Sequence, residues 1–299
     1  MQLTKAPSRR RPAFLVALAN VVMIAFYGGH RAAAQDQKAA IRQIEPGISF
    51  QTADGKTSVG TITHLWIYLP SGATGKVPCV VIAPAGSPLV WGMDLAEGDR
   101  AEHLPYARAG FAVVAYSIDG GVRAGSTAAQ YAEATQAFRK ARAGLVDSAA
   151  ALDYVRAFLP QIDPRRVFAV GHSSAATLAL LTAEIDPRIK ACVAFAPVAD
   201  VARRYAAALP ALEKALPGMG DFFVQSSPIT HAANLRCPLF LFRAADDTNV
   251  PAADTAAFRK AVSATNDRVT YFQAATGGHY QSMIAAGIPR AIAWLKALK

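Results

Sequence analysis

The stretch Arg166-Val-Phe-Ala-Val-Gly-His-Ser-Ser-Ala-Ala-Thr-Leu178 decides the fold. Its apolar first half is typical of a strand, and the alanine- and leucine-rich half after Ser173 is typical of a helix. Ser173 therefore lies in a tight corner between the two, where Gly171 and Ala175 are small enough for close packing. The stretch predicts a nucleophile elbow with an exposed serine hydroxyl, although a helix-capping serine would give the same short pattern.

Apolar runs recur along the chain between segments with apolar residues at helical spacing. Because the runs lack polar alternation, they are typical of strands buried on both faces of a parallel sheet. Runs 48–52 and 62–69 precede the first helix and predict an antiparallel hairpin at one edge. The pattern predicts one α/β domain over 48–299, with a mostly parallel eight-stranded sheet flanked by helices. The other runs are 79–83, 111–116, 167–170, 189–195, 239–242 and 269–272.

Partners for Ser173 follow at the ends of later strands. Asp247 comes 74 residues after the serine and His279 a further 32 residues on, behind a Gly-Gly pair. The order serine, acid, histidine is that of a hydrolase triad, in which histidine takes the serine proton and the acid orients the ring. Asp246 and Asp200 are alternative acids. The histidine inside the elbow, His172, is expected to be structural.

Acyl transfer also requires two N–H donors for the developing oxyanion. We expect Ser174 N–H to supply one. The loop 84–88 after an apolar run provides the other, from Ser87 or alternatively from Gly86, whose missing side chain lets the backbone approach closely.

A long interruption of the strand–helix rhythm at 201–223 predicts a small lid of two short helices, broken at Pro210 and Pro217. Large side chains on the lid and near the active-site loops are candidates for an apolar substrate pocket, or else belong to ordinary core. They are Trp91, Met93, Met219, Phe222, Phe223 and Tyr280.

The N-terminus has the pattern of an export signal. Residues 1–12 are basic, 13–29 are almost wholly apolar, and Ala32-Ala33-Ala34 offers a cleavage site. We expect a signal peptide over 1–34, a linker over 35–47, and a periplasmic or secreted domain. An uncleaved membrane anchor is the alternative.

Composition and spacing argue against several functions. The net charge is +10, but half of it lies in residues 1–34, and no basic cluster interleaved with aromatics follows, so nucleic acid is not an expected partner. Six histidines and three cysteines show no metal-ligand spacing, and no glycine-rich phosphate loop follows a strand. No metal and no cofactor are expected. A Cys192–Cys237 disulfide is an alternative in an exported protein, but buried free thiols are favoured.

From 48 to 299 the chain resembles the α/β-hydrolase superfamily, and more narrowly its dienelactone-hydrolase and prolyl-oligopeptidase-like branch. The resemblance rests on the elbow, on Ser227-Pro-Ile-Thr-His231 with Cys237-Pro-Leu239, and on the run 247–251. It implies Ser173, Asp247 and His279 as the triad. The sequence departs from it at Ala85-Gly86, where the family commonly has His-Gly, and in having serine where dienelactone hydrolases have cysteine.

These observations predict a serine hydrolase that cleaves small to medium carboxylic esters through an acyl-enzyme, as a monomer or homodimer. No propeller domain of the oligopeptidase kind precedes the hydrolase segment, which favours esters over peptides. A peptidase or amidase, and a non-catalytic binding protein on the same scaffold, are the alternatives.

Overall fold

Nine strands form one sheet in the computed structural model, which describes residues 41–298. The first three are antiparallel to their neighbours and the other six are parallel to one another. The strands are β1 (Arg42–Glu45), β2 (Ile48–Lys56), β3 (Ile62–Pro70), β4 (Val77–Ile82), β5 (Ala112–Tyr116), β6 (Ile162–His172), β7 (Ala191–Phe195), β8 (Leu239–Ala244) and β9 (Val269–Ala274).

Helices flank both faces of this sheet. The α-helices are α1 (Arg100–Arg108), α2 (Ala128–Lys140), α3 (Leu145–Phe158), α4 (Ser174–Ile185), α5 (Val201–Tyr205), α6 (Leu209–Ala215), α7 (Met219–Gln225), α8 (Pro228–His231), α9 (Ala252–Ser263) and α10 (Ile288–Ala297). Short 3₁₀ turns lie at Glu97–Asp99 and Ala232–Asn234, and a π-helical turn at Met283–Gly287 precedes α10.

The predicted α/β-hydrolase architecture is confirmed, with nine strands where eight were expected. The additional strand β1 lies inside the segment predicted as a linker and pairs with β2 through Arg42 opposite Phe50. The Pro46-Gly47 turn between them, with Gly47 at φ 80°, explains how so short a segment folds back on its neighbour.

Alternating side chains of the central strands pack into two hydrophobic cores, one on each face of the sheet. In β4, Cys79 and Val81 face the layer of α3 and α4, whereas Val80 and Ile82 face the layer of α1 and α10. Burying each such aliphatic side chain contributes about 1.5–3 kcal/mol. The strands carry no polar residues in these positions because both faces are covered.

The strand order β3-β5-β4-β6-β7 places a functional crevice. The chain passes from β4 to β5 on one side and then returns to the other side of β4 with β6. In open parallel sheets, ligands bind where the order reverses, beyond the carboxyl ends of the strands. The loops that follow β4 and β6 therefore diverge around one site, and these are the two loops that carry Ser87 and Ser173.

The segment predicted as a lid folds into three short helices, α5, α6 and α7, rather than two. Pro210 does not break a helix but lies in the first turn of α6, where its missing N–H costs no hydrogen bond. The helices share a small core with the loop after β4, in which Tyr205 and Phe223 stack with ring centroids 4.8 Å apart.

Within residues 41–298, no helix is long and apolar enough to cross a bilayer. The predicted signal peptide over 1–34 lies outside the described residues, so export and anchoring stay predictions. All three cysteines are free thiols, which excludes the Cys192–Cys237 disulfide in this structure.

Candidate active site

Ser173 occupies a strained corner between β6 and α4. Its φ of 54° and ψ of −121° are rare for a residue with a side chain, and they cost about 1–3 kcal/mol. The Ser173 N–H donates to the Phe195 carbonyl at 2.8 Å, which ties the corner to β7. A Cβ at Gly171 would lie 2.3 Å from the backbone of Ala175, so only glycine fits there. The predicted elbow geometry is present.

Asp247 and His279 form a hydrogen-bonded pair. Asp247 follows β8, His279 follows β9, and the Asp247 Oδ2 lies 2.8 Å from the His279 Nδ1. The other carboxylate oxygen accepts the N–H groups of Asn249 and Val250 at 2.8 and 3.2 Å. Burial alone would raise the Asp247 pKa, but the hydrogen bond and charge of His279, with these two N–H groups, lower it below its ordinary value.

The two alternative acids have other partners. Asp246 accepts the N–H groups of Gly277 and Gly278 at 3.1 and 2.9 Å, and so braces the loop that carries His279. Asp200 caps α5 by accepting the Arg203 N–H at 2.9 Å. Neither carboxylate hydrogen-bonds the His279 ring, which leaves Asp247 as its acid partner.

His279 lies directly beside the elbow. Its ring centroid is 4.6 Å from that of His172, and its carbonyl oxygen lies 3.0 Å from the His172 Nε2. Within residues 41–298, no hydrogen bond joins the Ser173 hydroxyl to the His279 ring. Catalytic hydrogen bonds in unliganded enzymes are often long and tighten when substrate binds.

The loop after β4 meets the elbow through a side chain. The Gly86 N–H donates to the Ser174 hydroxyl at 3.0 Å, so this N–H already has an acceptor. The Ser87 hydroxyl accepts from the Leu89 N–H at 3.1 Å and donates to the Trp91 carbonyl. In the described part of the chain, the Ser87 N–H has no acceptor. The Ser174 N–H is one of the unpaired donors in the first turn of α4.

Residues 99–297 match the model of the prolyl oligopeptidase family, Peptidase_S9, which is two thirds of the chain. The chain belongs to the prolyl oligopeptidase family. This confirms the resemblance to α/β-hydrolases of the prolyl-oligopeptidase type and identifies the protein as a serine hydrolase. The dienelactone-hydrolase part of the resemblance stays a prediction.

Solved structures with the same fold include esterases and peptidases. An esterase of Pyrococcus furiosus matches with a TM-score of 0.60 and 15% identity over 86% of this chain and 93% of its own. Acetyl xylan esterase 1 of Thermoanaerobacterium sp. matches with a TM-score of 0.66 and 16% identity over 86% of each chain. The acylaminoacyl peptidase of Pyrococcus horikoshii matches with a TM-score of 0.64 and 17% identity over 84% of this chain but only 40% of its own. No curated protein matches the sequence significantly.

The candidate pocket residues of this prolyl-oligopeptidase-family hydrolase fall into three pairs. Met219 and Phe223 are 0% exposed in the lid core, so the prediction that they line a substrate pocket is not supported by their positions. Trp91 is nearly buried against the Tyr131 ring, and Phe222 packs edge-on against Phe138. Met93 and Tyr280 retain exposed surface beside the loops that carry Gly86 and His279, respectively.

A small cavity lies behind the two loops. Its volume is about 10 Å³, close to what one water molecule needs. Ser87, Ser174, Leu89 and Val201 contribute to its mostly apolar lining.

Within residues 41–298, no group of three or more histidine, cysteine, aspartate and glutamate side chains could hold a metal ion. The cysteines are also poor nucleophiles, because burial raises the pKa of Cys237 to about 11 and raises those of Cys79 and Cys192 further.

Sequence reasoning missed two features of the site. It expected His172 to be structural but did not predict that its ring contacts the backbone of His279. It also did not identify Glu102, whose carboxylate lies 3.4 Å from the His172 Nδ1. Glu102 lies on α1, 70 positions before His172 in the sequence, and no periodic pattern relates the two.

Proposed function

We propose that this protein is a carboxylesterase that cleaves small to medium carboxylic esters through Ser173, His279 and Asp247. The observation that carries the proposal is the Asp247–His279 pair, held at 2.8 Å beside a strained serine elbow. Membership of a serine hydrolase family supports it.

In the proposed mechanism, His279 Nε2 takes the proton of the Ser173 hydroxyl as the oxygen attacks the ester carbonyl. Asp247 holds the hydrogen on Nδ1 and stabilises the imidazolium that forms. His279 then returns the proton to the leaving alcohol, which leaves an acyl-enzyme. Water repeats the sequence with His279 as base, and the carboxylic acid departs.

The oxyanion would be stabilised by the N–H groups of Ser174 and Ser87. Both lack an acceptor in the described structure, whereas the Gly86 N–H is occupied by the Ser174 hydroxyl. This arrangement favours Ser87 over Gly86 as the second donor. Each such donor is worth about 3–4 kcal/mol of transition-state stabilisation.

Two of the solved structures named above are esterases, which supports esters as the substrate class. The lid is only three short helices, α5, α6 and α7, and so small a cover suits a small acyl group better than a long peptide.

The test is hydrolysis of p-nitrophenyl acetate and butyrate, together with labelling by a fluorophosphonate probe. Wild type should turn over ester and become labelled, and Ser173→Ala should lose both. Ser263→Ala, an exposed serine on α9, is the matched control and should keep both. Unchanged turnover in Ser173→Ala would remove Ser173 as the nucleophile.

A peptidase or amidase is the second candidate, favoured by the family match. A panel of aminoacyl arylamides tests it, and inactivity on the whole panel with active ester hydrolysis would discard it. A protein that neither hydrolyses esters nor reacts with the fluorophosphonate would instead be a binding protein on this scaffold.

We also propose export, because residues 1–34 have the pattern of a signal peptide. The exported chain should begin at Gln35, which N-terminal sequencing of the periplasmic or secreted protein would show. Recovery of the uncleaved chain in the membrane fraction would favour the anchor.

A further inference from the structure

The histidine within the elbow has a role that an elbow does not require. His172 is only 4% exposed, yet its Nε2 lies 3.0 Å from the carbonyl oxygen of His279, 107 residues away in sequence. The two rings are 4.6 Å apart at an interplanar angle of 44°. A buried polar ring is expensive unless its nitrogens find partners.

The partners define the hydrogen positions on this ring. A carbonyl oxygen can only accept, so the His172 Nε2 must carry a hydrogen and donate to His279. The other ring nitrogen, Nδ1, lies 3.4 Å from a carboxylate oxygen of Glu102 on α1 but makes no hydrogen bond there. Glu102 is itself 8% exposed, so this contact takes place inside the protein.

The loop that receives this hydrogen bond has high conformational freedom, because two glycines precede His279. Gly277 and Gly278 directly precede His279 and have φ values of 109° and 60°. Asp246 holds their two N–H groups from one side. His172 holds the carbonyl of the next residue, so the backbone is hydrogen-bonded both before and after the His279 side chain.

We propose that His172 is a positioning residue: its Nε2–H fixes the backbone of His279 so that the His279 ring meets Ser173. This inference rests on the proposed function, because it assigns a supporting role in that triad. Misplacing a catalytic group by about 1 Å can cost about 100-fold in rate. His172 does not touch substrate, so its loss should lower kcat and leave KM unchanged.

The test compares His172→Gln with His172→Met. The two side chains have nearly the same length, but only glutamine has an N–H that can reach the His279 carbonyl. With p-nitrophenyl acetate, we expect His172→Gln to stay within about threefold of wild type and His172→Met to lose about 10- to 100-fold in kcat. Melting temperatures establish that both are folded.

The same two substitutions at His103 are the matched control. His103 is buried next to Glu102 in sequence, but its ring packs against Tyr68. Glutamine and methionine at position 103 should give equal kcat, even if both lower stability.

Equal kcat for folded His172→Gln and His172→Met would overturn the inference, and so would a loss that appears in KM alone. If the variants at 172 do not fold, ¹⁵N NMR of the wild-type His172 ring takes their place. The inference requires a hydrogen on Nε2, so a ring with its hydrogen on Nδ1 alone would also overturn it. Wild type that neither hydrolyses ester nor labels would instead refute the proposed function.

Discussion

Replacing Asp247 by asparagine tests the acid assignment directly. Asp247 uses one oxygen for His279 Nδ1 and the other for the N–H groups of Asn249 and Val250. Asparagine has one oxygen, which the two N–H groups will retain. Its amide nitrogen then faces the His279 Nδ1 and donates to it. The ring is forced to carry its hydrogen on Nε2, where it cannot accept the serine proton.

The cost follows from these contacts. Restoring the productive ring requires the asparagine to flip, which leaves two backbone N–H groups without an acceptor at about 1–3 kcal/mol each. The total of about 2–6 kcal/mol corresponds to a loss of about 30-fold to more than 10⁴-fold in kcat. Despite burial, the hydrogen bond from His279 and the two backbone N–H groups lower the pKa of Asp247, so the wild-type side chain is an ionised carboxylate at neutral pH.

The assay is kcat for p-nitrophenyl acetate, with Asp246→Asn as the matched control. The amide oxygen that this control introduces can still accept one of the two glycine N–H groups, so we expect a loss of about tenfold or less, the value of one hydrogen bond. An Asp247→Asn enzyme within a few fold of wild type would refute the reasoning. A larger loss in Asp246→Asn would transfer the role to Asp246.

Three further predictions concern the elbow and the core. Gly171→Ala should lower the free energy of unfolding by about 1–3 kcal/mol or more in urea titrations, because its Cβ would overlap the Ala175 backbone. Ser174→Ala should lower kcat for p-nitrophenyl acetate with little change in melting temperature. It removes the acceptor of the Gly86 N–H and so loosens the loop 84–88, which carries the proposed oxyanion donor Ser87. Burial without a hydrogen-bond partner raises the pKa of Glu184 from 4.5 to about 9, so folding takes up a proton between these values and wild-type stability falls as pH rises. Urea titrations should therefore show Glu184→Gln gaining stability relative to wild type between about pH 5 and about pH 8.

The sequence was sufficient for features that depend on neighbours along the chain. The elbow around Ser173 could be predicted because strand, corner and helix are consecutive. Apolar runs without alternation indicated the parallel strands, since both faces of the sheet are covered. The Asp247–His279 contact could be expected from order alone, because parallel strands bring their carboxyl ends to one edge.

Features that depend on distant packing were not predictable. The partners of His172 lie on α1 and after β9, and no spacing relates them. Met219 and Phe223 are as apolar as pocket residues would be, but the lid helices pack both side chains into their own hydrophobic core. The short strand β1 was missed because four residues carry little periodicity, although Pro46-Gly47 signalled the turn.

The conformation of Ser173 places chemistry and folding in opposition. A φ of 54° with a ψ of −121° suits glycine, so Ser173→Gly should relieve backbone strain while removing the hydroxyl. An inactive chain would then be more stable than the active one. Selection for stability alone would replace the serine at this corner, and only selection for turnover would retain it.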